Sequence, residues 1–352
     1  MRYEPNESSS IMTKNSNQYW WPVATTQDMK KGKLLPLKFH GLPIIIFRDA
    51  NGTAASLPDY CPHRFAPLSH GTLINGEVQC PYHGWRFNSQ GKCTNVPGNE
   101  NVCSHKPILK SINTYESHGL IWLNQSSGES IPLLPVFEQD NEVTDFFYMS
   151  DTIHCTLPEA AENFLDGFHT HFVHAGWIRH DKNRQTVMAK IHKLSDGIEV
   201  QYSGEVLQSG FISRLLEGDR GVSMGRFRLP GLAEIEYRNS KGDLNLLVSA
   251  WLTPMDQNHL RVHARIATRK GIVPSWIKQN ILSRLFKVIL KQDKNILEKT
   301  RMNIESFQEN GTLLTSDKQL DTSNDLIGPY IRSLVEGNKI EDFEEKTILL
   351  KL

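Results

Sequence analysis

The sequence lacks net charge: 39 Lys and Arg stand against 39 Asp and Glu in 352 residues. That excludes the electrostatic footprint of a nucleic-acid binder or of a protein held to an anionic membrane. Long apolar runs are missing as well. The longest, such as Pro43-Ile44-Ile45-Ile46-Phe47, are strand-sized and far short of a membrane span. Cysteine is scarce, with five residues widely scattered, so a disulfide framework is not expected. There is no G-x-G-x-x-G unit, which argues against a built-in nicotinamide or flavin site. Residues 1–18 are polar and rich in Asn and Ser, without the apolar core of a secretory leader. They read as a disordered tail, and a cytoplasmic location is the default expectation.

What is present divides into a β-rich first third and a mixed remainder. From Tyr19 to about residue 127, short β-prone segments alternate with turns such as Asp49-Ala50-Asn51-Gly52 and Asn75-Gly76, the pattern of a small antiparallel domain. Two loops inside it read Cys61-Pro62-His63 and Cys80-Pro81-Tyr82-His83-Gly84-Trp85. Each offers one thiolate and one imidazole to a shared centre. A tetrahedral zinc ion is one reading. The other is a [2Fe-2S] cluster with two Cys on one iron and two His on the other. The tight C-x-H pair favours the cluster. Cys93, Cys103 and Cys155 match no ligand position, and Cys155 reads as a buried small hydrophobe.

Beyond a connector spanning residues 128–150 comes the run Asn163-Phe164-Leu165-Asp166-Gly167-Phe168-His169-Thr170-His171-Phe172-Val173-His174. Read as a helix, it places Asn163, Asp166 and His169 on one face at i, i+3 spacing. His174 is too far round to join them unless the helix ends or loosens near His171. Carboxylate and imidazoles among aromatics are costly to bury unless paired or metal-bound. Asn163 is read as a group near the open side of such a site or, equally, as a helix cap.

Strands are then expected through Ala267, followed by a long helix from Pro274 to about Phe307. Its apolar stripe runs through Ile277, Ile281, Leu285, Val288 or Ile289, Ile296 or Leu297, and Ile304. Asp293 falls on that stripe, and a carboxylate there needs a cation. Two His and one carboxylate on one face of an ion form the facial triad of non-haem Fe(II) sites. The candidate ligands are therefore His169, His174 and Asp293, with Glu298 as the alternative carboxylate.

These motifs, with Trp21-Pro22-Val23-Ala24, Leu68-Ser69-His70-Gly71 and Gly91-Lys92-Cys93, resemble the oxygenase (α) subunits of Rieske non-haem iron oxygenases. The resemblance covers almost everything from Tyr19 onward. It implies an α+β architecture: an N-terminal all-β Rieske domain (19–127) and a C-terminal helix-grip, START-like catalytic domain (151–352). It implies a cluster held by Cys61, His63, Cys80 and His83, and a mononuclear Fe(II). Asp166 would accept a hydrogen bond from the His169 ring and bridge to a cluster histidine of a neighbouring subunit in a homotrimer. Electrons would come from a separate reductase, with or without a ferredoxin, and O2 would oxidise a small organic substrate. The layout looks more like the monooxygenase and demethylase branch, such as the vanillate O-demethylase and dicamba monooxygenase oxygenase components, than like ring-dihydroxylating α subunits. Readings from other classes are a ligand-binding protein with a structural zinc ribbon and a simple Rieske electron carrier.

Overall fold

The computed structural model describes residues 18–99, 107–126, 134, 144–205, 209–216, 219–271, 273–313, 319–322, 325–338, 340 and 345–352. Cys103, most of the expected tail, and residues 128–133 and 135–143 of the expected connector lie outside them. The chain divides into one unit of Asn15–Pro132 with Thr253–Gln257, and another built on Leu133–Leu252 and Asn258–Leu352.

The first unit is made of short antiparallel strands: β1 (Trp21–Thr25), β2 (Leu35–Phe39), β3 (Leu42–Arg48), β4 (Ala54–Pro58), β5 (Thr72–Ile74), β6 (Glu77–Gln79), β7 (Arg86–Phe87), β8 (Cys93–Asn95), β9 (Asn113–Ser117) and β10 (Leu120–Asn124). They form sheets ordered β1-β10-β9, β2-β3-β4 and β5-β6-β7-β8. Ile45, Phe47, Leu57, Leu68, Val78 and Phe87 are fully buried in one core that also takes in Cys61 and Cys80. Burying such side chains contributes about 1.5–3 kcal/mol each, so the two ligand-bearing loops are anchored at the cysteine end.

The second unit is an eight-stranded sheet ordered β11-β17-β16-β15-β14-β13-β12-β18. Its strands are β11 (Thr144–His154), β12 (Thr186–Leu194), β13 (Gly197–Ser203), β14 (Arg220–Arg228), β15 (Leu232–Asn239), β16 (Leu244–Pro254), β17 (His259–Arg269) and β18 (Lys346–Lys351). β11 begins at Thr144, inside the stretch read as connector, because pairing with β17 runs from Thr144↔Arg269 to His154↔His259 without interruption. β18 was not foreseen. It adds to the free edge of β12, with Thr186 opposite Lys351.

Among the described residues the unit's helices are α1 (Leu157–Leu165), α2 (Phe211–Leu216), α3 (Ser275–Glu309) and α4 (Gly328–Val335). α1 starts behind Thr156, whose backbone N–H donates to Glu159 at 2.8 Å. It is Thr156, and not Asn163, that caps this helix. α3 is the long helix expected, and the predicted stripe turns inward at Leu285, Ile289 and Leu297 but not at Ile281, where Leu282 is buried instead. Ile281 and Ile296 are 51% and 41% exposed, whereas Leu282 and Ile289 are buried. Apolar residues occur in adjacent pairs along α3 (Ile281-Leu282, Leu285-Phe286, Ile296-Leu297), so periodicity alone leaves the face ambiguous by about 100°. Among the described residues, no helix is long and apolar enough to cross a membrane.

Candidate metal centres

In the first unit the two Cys-His loops have the same backbone plan. The Cys61 amide donates to the Ala66 carbonyl and the Phe65 amide to the Cys61 carbonyl, both at 2.8 Å; Cys80 with Trp85, and Gly84 with Cys80, repeat this at 2.8 and 3.1 Å. The fourth residue after each Cys has positive φ, +72° at Gly84 and +56° at Phe65. Glycine adopts that conformation freely, while a bulky residue is strained there. The plan sets Cys61 and Cys80 inward, 1% and 2% exposed. It also brings the His63 and His83 rings to 4.7 Å between centroids. Trp85 stacks on His63 at 4.9 Å, and the Tyr82 amide points at the Cys80 sulfur at 3.5 Å. Burial pushes the Cys61 thiol up to about 11, and the adjoining Cys80 adds to the rise. A buried thiol pair facing two imidazoles is poor at ionising alone and well suited to a cationic centre. This donor set fits a [2Fe-2S] cluster with two thiolates and two imidazoles.

In the second unit the helix expected to end or loosen near His171 ends earlier still. α1 ends at Leu165, and Asp166 leaves it in extended conformation (φ −74°, ψ 120°). The Asp166 carboxylate then accepts the amides of Phe168 at 2.7 Å and His169 at 3.0 Å, which caps a single 3-10 turn, His169–His171. Asp and Gly in sequence favour this break, because the short carboxylate competes with helix hydrogen bonding. The break is what lets His169 and His174 converge.

Ligand-type atoms of His169, His174 and Asp293 lie within 4.8 Å of one another. The Oδ1 of Asp293 is 3.4 Å from Nε2 of His169 and 3.0 Å from Nε2 of His174. Each ring is oriented through its other nitrogen. His169 Nδ1 lies 2.7 Å from the Asp166 carbonyl oxygen, and His174 Nδ1 lies 2.9 Å from Gln292 Oε1. Both partners accept, so both Nδ1 atoms donate, leaving each Nε2, the atom through which either ring would bind a metal once deprotonated, directed at Asp293. These donors fit a divalent iron held by two imidazoles and one carboxylate.

The His169 ring does not bond the Asp166 carboxylate, whose nearer oxygen is 3.6 Å from Nδ1; the backbone carbonyl takes that role. Asn163 sits in the last turn of α1 and donates from Nδ2 to Asp293 Oδ1 at 2.9 Å. Glu298 is directed elsewhere, accepting the His154 amide at 3.3 Å. Cys155 is buried, which pushes its thiol up to about 12. Gln292 escaped the sequence reading, since a neutral amide beside Asp293 carries no distinguishing pattern. Gln292→Leu is expected to lower iron affinity about 10–100-fold, the usual cost of removing such an orienting partner. Iron titration of the chelator-stripped protein checks it.

Burial opposes charge on the His169 ring, but the Asp166 and Asp293 carboxylates outweigh it and lift the ring to about 9. Burial likewise opposes ionisation of Asp293, yet His169 and His174 hold it far below the usual carboxylate range. The raised histidine stabilises the metal-free protein fully below its unfolded value of 6.5, and that contribution is lost as pH rises through about 9. Iron must displace the same proton. Apparent iron affinity is therefore expected to rise by up to about tenfold per pH unit between pH 7 and 8. A flat dependence in anaerobic titrations would contradict this.

The three groups open on a cavity of about 160 Å³ between α3 and the sheet. Phe286, Ile289, Leu290 and Leu297 supply one wall, and Ile235 and Val248 another. Leu352 lines it too, with a methyl 2.8 Å from where a Cβ on Gly167 would lie. At the edge of the metal loop, Arg179 makes a two-pronged pair with Glu205 at 2.8 and 2.7 Å. It also donates to Thr170 Oγ1 at 2.9 Å, and Arg220 joins the same Glu205 carboxylate.

Comparison with known proteins adds two family matches. The Rieske [2Fe-2S] domain matches residues 19–116, and the vanillate O-demethylase oxygenase C-terminal domain matches residues 153–336, just over half the chain. Chlorophyllide a oxygenase of Chlamydomonas reinhardtii is 33% identical over 49% of this chain and 27% of its own length. Protein TIC 55 of Pisum sativum is 31% identical over 76% of this chain and 49% of its own. The chain thus spans about half or less of these relatives. Among solved structures, dicamba monooxygenase bound to dicamba superposes with TM-score 0.77 at 20% identity, covering 91% of this chain and 96% of that one, a likeness of fold. With a cluster-type donor set in one unit and a two-histidine, one-carboxylate set in the other, the chain belongs to the Rieske non-haem iron oxygenases, in the group carrying the vanillate O-demethylase oxygenase C-terminal domain.

Proposed function

We propose that the protein is the terminal oxygenase component of a Rieske-type system, hydroxylating or oxidatively demethylating a small, largely apolar ring compound. The observation that carries this is the convergence of His169, His174 and Asp293 at the mouth of an apolar cavity. When bound by His169, His174 and Asp293, iron would supply dioxygen activation. Asp166 and Gln292 fix the two rings, and Asn163 holds the carboxylate, so the site is oriented before any ion enters. The apolar walls exclude water from the reacting carbon.

A cavity of about 160 Å³ is comparable to an engineered cavity that accepts benzene. One substituted ring suits it, such as the dicamba named for the structural neighbour; a tetrapyrrole would not fit it as it stands. Electrons would come from a separate reductase, with or without a ferredoxin, through the cluster. Asp166 has a side chain 39% exposed, which leaves its outer lone pairs free for the bridge to a neighbouring subunit of a homotrimer.

The test is substrate-dependent O2 uptake by anaerobically reconstituted protein with a surrogate reductase, against aryl methyl ethers and N-methyl heterocycles. Uptake with formaldehyde release is the expected result. A zinc-loaded, colourless protein would replace this reading by the ligand-binding one; a coloured protein with no ferrous ion beyond the cluster would replace it by the electron carrier.

A further inference from the structure

One row of the sheet's cavity face is polar. Tyr202 on β13 is paired with Ser223 on β14, and Ser223 with Tyr237 on β15. Directly paired residues share a face, and all three line the cavity. Two residues along, the row Gly225, Ile235 and Val248 is apolar. Among the described residues none of the three hydroxyls has a hydrogen-bond partner, although Ser223 is only 5% exposed. Leaving donors unpaired against a largely apolar cavity wall is unfavourable.

The row is also held in place. The Arg220 guanidinium lies 4.8 Å from the Tyr237 ring centroid, and Arg220 is fixed by Glu205. A cation over the ring face withdraws electron density and makes the phenol a better donor. Burial raises the Tyr202 hydroxyl well above its ordinary range, so it keeps its proton. A Cβ on Gly225 would lie 3.4 Å from Leu165, so the apolar row lies beneath the end of α1, where the metal loop starts. Ser223 is two residues further, about 7 Å along the strand, a separation comparable with the span of a para-substituted ring.

We infer that Tyr202, Ser223 and Tyr237 form a recognition site for an oxygen acceptor, a carboxylate or a ring carbonyl, at the far end of an otherwise apolar substrate. This rests on the proposed function only in taking the cavity as the substrate site. The full-length protein is titrated calorimetrically with 4-methoxybenzoate, 4-methoxyacetophenone and 4-methylanisole, which share a methoxyphenyl body. The first two are expected to bind about tenfold or more tightly than the third, and Tyr202→Phe and Tyr237→Phe each to reduce that preference severalfold. Both variants should keep wild-type melting temperature and iron content, which a purely structural role would not predict. A preference for the benzoate over the ketone assigns the acceptor as an anion; equal affinity of those two assigns it as a neutral oxygen.

Equal binding of all three probes, binding of none, or full preference in both variants overturns the inference. Preference without any O2 uptake would sink the oxygenase reading and leave the recognition site standing. Uptake without preference would do the reverse.

Discussion

Asp293→Ala is expected to lower iron from about three atoms per chain to about two, with the cluster spectrum unchanged. The cluster donors Cys61, His63, Cys80 and His83 lie in a different unit from Asp293, so their colour and reduced EPR signal should survive. Turnover should fall by at least about 10³-fold, since losing a mere orienting partner already costs about 10–100-fold. Asp293 is also what balances the two imidazoles: its Oδ1 is the common neighbour of both Nε2 atoms, at 3.4 and 3.0 Å. Asp293→Asn keeps the shape and removes the charge, so an Asn variant that also loses the ion shows that charge is required. Retention of the third iron in Asp293→Ala would reject the ligand assignment. Glu298 is a poor substitute because its carboxylate is already engaged with the His154 backbone.

The second large effect concerns folding. Glu205→Gln removes the only carboxylate that the described residues place against both Arg179 and Arg220, which are 6% and 5% exposed. Breaking a buried pair by deleting one partner costs about 3–5 kcal/mol, because a desolvated charge is left uncompensated. For a domain of this size the melting transition should drop by on the order of 10 °C. Arg179 also reaches Thr170 Oγ1 and the Gly167 carbonyl, at 2.9 and 3.4 Å, so the loop bearing His169 should loosen with it. Calorimetry of the variant checks the first point and iron content the second. A shift equivalent to less than about 1 kcal/mol would mean the pair is solvated in solution.

The metal chemistry was the most legible part of this sequence. Cys61, His63, Cys80 and His83 sit in short loops whose spacing constrains geometry, and His169, His174 and Asp293 are residue types that are costly to bury unpaired. The strands alternating from β12 to β17 were readable for the same local reason. What escaped depended on distant partners. β18 is an edge strand whose only reason to form is β12, roughly the whole catalytic unit away in sequence. Gln292 and the Arg179–Glu205–Arg220 group look like ordinary solvent-facing residues until folding brings their partners to them. The face of α3 was ambiguous at Ile281 and Ile296 because its apolar residues come in neighbouring pairs, while Ile289, Asp293 and Leu297 on the predicted stripe do turn inward. The helix drawn through His169 stopped early because Asp166 spends its carboxylate on two amides, a competition that an i, i+3 pattern does not register.

The two rings of the second centre acquire their orientation from very different distances along the chain. His169 is set by a carbonyl three residues before it, whereas His174 waits for Gln292, 118 residues later. During synthesis on the ribosome, half of this centre can take shape at once while the other half has nothing to lean on until the long helix emerges. Binding by all three ligands must therefore await synthesis of α3, which carries both Gln292 and Asp293.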